Sequence, residues 1–146
     1  MDFSSCIDKQ TDLCRIFSKS SSQDEIYKTL ISLKNRLPSF EKNKACDNNL
    51  VRGCQSNLWI YSKMENGKVL FFSKADALIS AGISALFVLS YSDELPETIL
   101  GCPPMFFDKL NLNNLLSPGR SNGALSLHLR MKQLVLPYLS FSKNIY

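Results

Sequence analysis

The chain's candidate nucleophiles are five cysteines, Cys6, Cys14, Cys46, Cys54 and Cys102, alongside a single histidine, His128. One of the five has a setting suited to chemistry. In Leu50-Val51-Arg52-Gly53-Cys54-Gln55-Ser56-Asn57-Leu58-Trp59-Ile60-Tyr61, the thiol of Cys54 follows a glycine and precedes an aromatic, β-branched run. Gly53 marks a tight turn, because it admits backbone angles that a Cβ resists. The run from Leu58 favours a pleated strand. Cys54 is therefore expected at a loop tip braced by a sheet, where a thiol can meet a partner and still be aimed.

The remaining chemistry is sparse. An odd number of irregularly spaced cysteines is no disulfide framework, and no Cys-x-x-Cys occurs to suggest zinc, so no metal site is expected. A cysteine hydrolase would need His128 within hydrogen-bond reach of the sulfur, with a third group to orient it. His128 instead falls within the last helical pattern, where it reads as an ordinary helix side chain. Arg52 reads as a solvated strand-end charge and Trp59 as core. Net charge is +4, with scattered lysines and no dense basic stripe, so nucleic-acid binding is not implied. The most apolar run, from Ala77 to Ser90, is about 14 residues long, and a membrane span needs about 20. No basic region followed by an apolar stretch opens the chain, so a cytoplasmic protein with reduced thiols is expected.

The elements that must hold Cys54 follow from periodicity. A modest helix is expected over Asp8 to Lys19, ended by Ser20-Ser21-Ser22. The Ser22-x-x-Glu25 capping box opens a second, amphipathic helix that stops at Pro38. A polar loop, Ser39 to Asn49, leads to a short strand over Leu50 to Arg52. Strands over Leu58 to Met64 and Val69 to Phe72 flank Glu65-Asn66-Gly67, an Asn-Gly hairpin turn. Ser73 is expected to cap a helix from Asp76 to Tyr91 that is apolar nearly all round, hence buried. Within it, Gly82 suggests close backbone packing. Short helices are expected over Pro96 to Leu100 and Met105 to Leu110, and a turn over Leu112 to Leu116. Ser117-Pro118 should cap a final helix, with Ala124, Leu127, Met131 and Leu134 inward, that runs to about Val135 and stops near Pro137. Helices, a small antiparallel sheet and further helices make an α+β fold, in one domain over residues 1–146.

Three motifs occur in an order that resembles the SufE family of sulfur acceptors in iron–sulfur cluster assembly. They are Leu33-Lys34-Asn35-Arg36-Leu37-Pro38; Val51-Arg52-Gly53-Cys54-Gln55-Ser56-Asn57-Leu58-Trp59; and Leu116-Ser117-Pro118-Gly119-Arg120-Ser121-Asn122-Gly123, which is similar to the family's Ser-Pro-x-Arg-x-x-Gly signature. Asp76-Ala77, opening the apolar helix, also fits, and the likeness covers about residues 26–134.

The resemblance implies a SufE/IscU-like fold, a small curved antiparallel sheet with helices packed on it. It implies that Cys54 accepts persulfide sulfur from a SufS-type cysteine desulfurase, stimulates that enzyme, and passes the sulfur to a SufBCD-type scaffold. The pyridoxal phosphate (PLP) belongs to the desulfurase, and no cofactor is expected here. Gly53, Gln55, Ser56, Asp76 and Arg120 would support Cys54, with Gln55 and Ser56 fixing the loop by side-chain hydrogen bonds. Asp76 reads on its own as a helix N-terminal residue. Two alternatives stand beside sulfur carriage: a regulatory adaptor of the desulfurase, which would share the docking surface but carry no sulfur, and an IscU-like scaffold. The scaffold would need two further cysteines at matching positions, and neither Cys46 nor Cys102 matches one.

Overall fold

In the computed structural model, which describes residues 2–144 and the side chains of residues 2–139, most helices gather around one buried helix. That helix, α3 (Leu78–Tyr91), carries an unbroken buried run from Ala81 to Val88. A helix without a polar face must be covered on every side. Here α1 (Ser4–Ile16), α2 (Gln23–Ser32) and α7 (Pro118–Asn144) pack on it together with the sheet. Gly82 permits this closeness: a Cβ there would lie 2.4 Å from the carbonyl oxygen of Leu30 on α2.

The sheet is an antiparallel pair, β1 (Leu58–Glu65) and β2 (Lys68–Ala75), registered from Leu58↔Ala75 to Glu65↔Lys68. Asn66 and Gly67 turn the chain at φ 54° and 80°, the double positive-φ turn that the Asn-Gly pair favours. Leu50 adds only a single bridge, to Trp59, so the strand expected over Leu50 to Arg52 shrinks to one pairing. Tyr61 is buried by stacking on Phe72 at 4.8 Å, with Phe40 edge-on at 5.1 Å. Trp59 is only half-buried, a correction to its reading as core.

Other boundaries move for identifiable reasons. α1 begins at Ser4, ahead of Asp8, because Cys6, Gln10 and Leu13 bury one face. Ser22 caps α2 as expected, its Oγ accepting from the Glu25 amide at 3.2 Å, while the Glu25 carboxylate reaches back to the Ser21 amide at 2.8 Å. A 3-10 turn, Leu33–Arg36, leads on toward Pro38. Ser73 caps nothing: it is buried in β2, which runs on to Ala75, and its hydroxyl donates to Ser84 at 3.0 Å. Accordingly α3 starts two residues after Asp76. Short helices α4 (Pro96–Gly101), α5 (Phe106–Lys109) and α6 (Leu112–Leu115) follow, the last replacing an expected turn.

The largest difference is α7, which passes through Pro137 instead of stopping before it. A proline in a helix removes one backbone hydrogen bond and crowds the preceding turn. Packing outweighs that cost here: Val135 is fully buried, and the Tyr138 hydroxyl lies 2.9 Å from Ser62 Oγ on β1. Among the described residues, no helix is long and apolar enough to cross a membrane.

Candidate functional site: a thiol loop seated on the last helix

The loop from Val51 to Asn57 is closed at both ends by backbone pairing. The Val51 amide donates to the Leu58 carbonyl at 2.8 Å. The Asn57 amide donates to the Asp76 carboxylate at 3.1 Å, and the Asp76 amide returns a bond to the Asn57 carbonyl at 3.1 Å. Asp76, read from the sequence as a helix N-terminal residue, has another role. It ties the loop's exit to the end of β2, outside the first turn of α3.

Between these ties the loop lies along one stripe of α7. Gly119, Gly123 and Ser126 recur at helical spacing on one face of that helix. Gln55 lies over Gly119, where a Cβ would come 2.3 Å from its side-chain carbon; Cys54 lies over Gly123, with its Sγ 3.7 Å from the Gly123 carbonyl oxygen. Gly53 lies over Ser126, and at φ 91° it makes the turn foreseen for it. Further toward the base, Arg130 Nη2 donates to the Asn48 carbonyl at 2.6 Å.

The expected bracing by Gln55 and Ser56 is present. Gln55 Oε1 accepts from Ser117 Oγ at 3.3 Å, and the same Ser117 oxygen caps α7 by accepting from the Arg120 amide at 3.3 Å. Ser56 Oγ donates to Ser80 Oγ on α3 at 2.8 Å. Through these contacts the loop is held by both helices it touches.

Cys54 itself is half-buried and borders a hollow of about 20 Å³ lined by Leu58, Ile83, Gly123, Ala124 and Leu127, with Ser80 and Arg120 at its polar side. Burial against these apolar walls pushes the Cys54 thiol above its ordinary pKa. Arg120 is therefore brought to the thiol's hollow, whereas Arg52 is exposed and does not line it. His128 is elsewhere: its ring sits 5.4 Å from Phe87 and 5.5 Å from Tyr91, and burial depresses its pKa to about 4. Cys46 is exposed, and Cys102 is buried beside Cys6. Among the described residues no three His, Cys, Asp or Glu side chains converge as a metal site would require.

Sequence reasoning missed three of the residues that shape this site. Gly123 closes the third motif without an assigned role, although a glycine recurring inside a helix is a signal of close approach. Ser80 and Ser126 carry no signal of their own, since their partners lie far off in sequence.

The chain matches the sequence model of the SufE family, described as an Fe-S metabolism associated domain, over residues 11–135. It is 32% identical over 121 residues, 82% of this chain and 84% of the relative, to the "Cysteine desulfuration protein SufE" of Wigglesworthia glossinidia brevipalpis. Its fold is similar to the solution structure of a hypothetical protein from Thermus thermophilus, with TM-score 0.73 at 22% identity, covering 90% of this chain and 96% of that one.

Proposed function

The chain belongs to the SufE family, and from that premise we propose that it carries sulfur on Cys54 from a SufS-type cysteine desulfurase to an iron–sulfur cluster scaffold of the SufBCD type. The family membership supports a role in cysteine desulfuration and sulfur transfer. The observation that carries the finer reading is the seat of Cys54: a thiol on a loop with a glycine hinge, over a small apolar-walled hollow.

The reaction is an exchange between sulfurs. The Cys54 thiolate attacks the outer sulfur of the desulfurase persulfide, a new S–S bond forms on Cys54, and the desulfurase thiolate leaves. The desulfurase's PLP chemistry supplies that persulfide, and the residues of this chain receive and shelter it. A hollow of about 20 Å³ is roomy enough to admit a small group beside the thiol. The apolar walls would keep reductants from the cargo.

Shelter has a chemical cost, because desolvation disfavours the thiolate. The opposite tuning would contribute little. Lowering a thiol pKa from ~8.5 to ~7 raises the thiolate fraction about tenfold at neutral pH, but nucleophilicity falls with a slope of ~0.4–0.5, leaving about a twofold gain. Placing the sulfur within the partner's site is worth orders of magnitude more. Cys54 therefore rests sheltered in the free protein and swings out on docking, about Gly53 and the Asp47–Asn49 turn, where positioning dominates. Arg120, at the polar side of the hollow, is suited to face an anionic persulfide once it forms.

The test is incubation with a SufS-type desulfurase and free cysteine, followed by peptide mapping. Sulfur is expected on Cys54, with transfer abolished in Cys54→Ser. Sulfur mapped to Cys46 or Cys102, or transfer surviving in Cys54→Ser, would overturn the reading. A nonreactive desulfurase should also accelerate alkylation of Cys54, as an exposed docked state requires.

A further inference from the structure

A pair of thiols lies away from the Cys54 loop, and the proposed sulfur transfer does not use it. Cys6 on α1 and Cys102, immediately after α4, are both buried to within 1% of full enclosure. A single side-chain amide joins them: Gln10 Nε2 lies 3.7 Å from Cys6 Sγ and 3.7 Å from Cys102 Sγ. The same amide donates to the Pro103 carbonyl at 3.0 Å, and Gln10 Oε1 accepts from the Phe106 amide at 3.3 Å. Gln10 is itself 2% exposed, so its two-sided bonding fixes one amide to which both sulfurs are neighbours. Cys6 Sγ also approaches the Ser90 carbonyl oxygen at 3.3 Å, and Cys102 Sγ that of Pro103 at 3.8 Å.

We propose that Cys6 and Cys102 are a disulfide-forming pair, a redox modification site that staples the N-terminal helix to the segment following α4 when a small-molecule disulfide oxidises it. The exchange proceeds in two displacements. One cysteine, as thiolate, attacks a sulfur of oxidised glutathione; a mixed disulfide forms and one glutathione thiolate leaves, taking up the proton. The second cysteine then loses its proton and attacks the protein sulfur of the mixed disulfide. The Cys6–Cys102 bond forms and the second glutathione leaves as thiol. Two protein thiols are oxidised, and one glutathione disulfide is reduced to two thiols.

Access sets the rate. Oxidant cannot reach either sulfur until α1 lifts, and single elements can open locally, short of global unfolding. Burial raises both thiols and pushes Cys6 up to about 12, so the closed pair is inert as well as hidden. α1 is held by Lys9, whose ammonium donates to the Ser92 carbonyl at 2.6 Å and pairs with Glu94, and by Phe3, whose ring meets Gly101. Exposed Cys46 should therefore acquire glutathione first, while the buried pair closes more slowly and without retaining glutathione.

The experiment uses the full chain, incubated with oxidised glutathione at a temperature below its unfolding transition, and quenched by alkylation. Non-reducing peptide mapping is expected to recover Cys6 linked to Cys102, with the mass of two hydrogens lost. The linked species should melt at least about 5 °C higher, since a crosslink closing so long a loop strongly restricts the unfolded chain. Reductant should reverse both changes. Lys9→Ala, which loosens α1 without touching either thiol, should speed the crosslink several-fold. Recovery of both cysteines reduced, of either one only glutathionylated, or of a crosslink to Cys14 or Cys46, would overturn the assignment, as would closure with no rise in melting temperature.

Discussion

Gly123 decides how Cys54 rests. A Cβ at this position would stand 3.3 Å from the Cys54 sulfur, tighter than ordinary contact, and 3.6 Å from its Cα, at ordinary contact. The strain would fall on the loop, because the helix opposite is fixed by its core face. Gly123→Ala should leave the fold intact, since alanine is favoured over glycine in a helix by about 1 kcal/mol. It should nevertheless displace the sulfur, raising the alkylation rate of Cys54 in the free protein several-fold with an unchanged or higher melting temperature. An alkylation rate equal to that of the unmodified protein would mean that the thiol does not rest on Gly123. The contrast is Gly82→Ala, where the obstruction is the Leu30 backbone at 2.4 Å; there the expected outcome is a lower melting temperature. The same burial fixes a pH dependence. With its pKa raised, Cys54 alkylation in the free protein should reach half-maximum above the ~8.5 of an ordinary thiol, and fall back toward it in Gly123→Ala.

At the scale of elements, the loop is a bridge between the hairpin and α7, and Asp76 is the tie at its exit. Asp76→Ala removes the acceptor of the Asn57 amide while sparing the backbone bond from Asp76 to Asn57. Because the site is exposed, the stability loss should be about 1 kcal/mol or less. The local effect should be larger: faster hydrogen exchange at the Asn57 amide, with other β1 amides unchanged. Uniform acceleration through β1 would point to general destabilisation instead. Much of this arrangement was legible in the sequence. Asn66-Gly67 announced the hairpin because few other pairs tolerate two positive φ angles, and Ser117-Pro118 announced the start of α7 through its capping chemistry. Gly53 marked the turn, and Gln55 and Ser56 marked the bracing. Three misread features depended on partners elsewhere in the sequence. Ser73 looks like a cap until Ser84 faces it from α3; Pro137 looks like a stop until Tyr138 finds Ser62; Asp76 looks like a helix residue until Asn57 lies beside it. Local propensity cannot register such contacts, and packing overrode it at each.

For the whole molecule, the core around α3 is bordered by a group that resists charging where it sits. The His128 ring lies against Phe87 and Tyr91, its Nε2 is buried without a hydrogen-bond partner, and Lys132, one turn further along α7, adds positive charge nearby. Burial first, and Lys132 second, lower its pKa from 6.5 to about 4. The fold thus favours the neutral imidazole, while the unfolded chain takes up a proton below pH ~6.5. Between these two values the unfolded state binds more protons, so stability is complete above pH ~6.5, falls as pH drops toward 4, and levels off below it as far as this group is concerned. The loss amounts to no more than about 3 kcal/mol, and less where solvent reaches the ring. His128→Phe keeps an aromatic ring between Phe87 and Tyr91 and removes both the titration and the unpartnered nitrogen. Its melting temperature should exceed that of the parent at pH 7, because an unsatisfied buried polar group costs about 1–3 kcal/mol. The margin should widen at pH 5, where only the parent is destabilised by protonation of the unfolded state. Melting curves taken from pH 4 to pH 8 for both proteins check this directly: parallel curves would show that His128 does not govern the acid limb, and a lower curve for His128→Phe throughout would show that the ring site cannot accept the substitution.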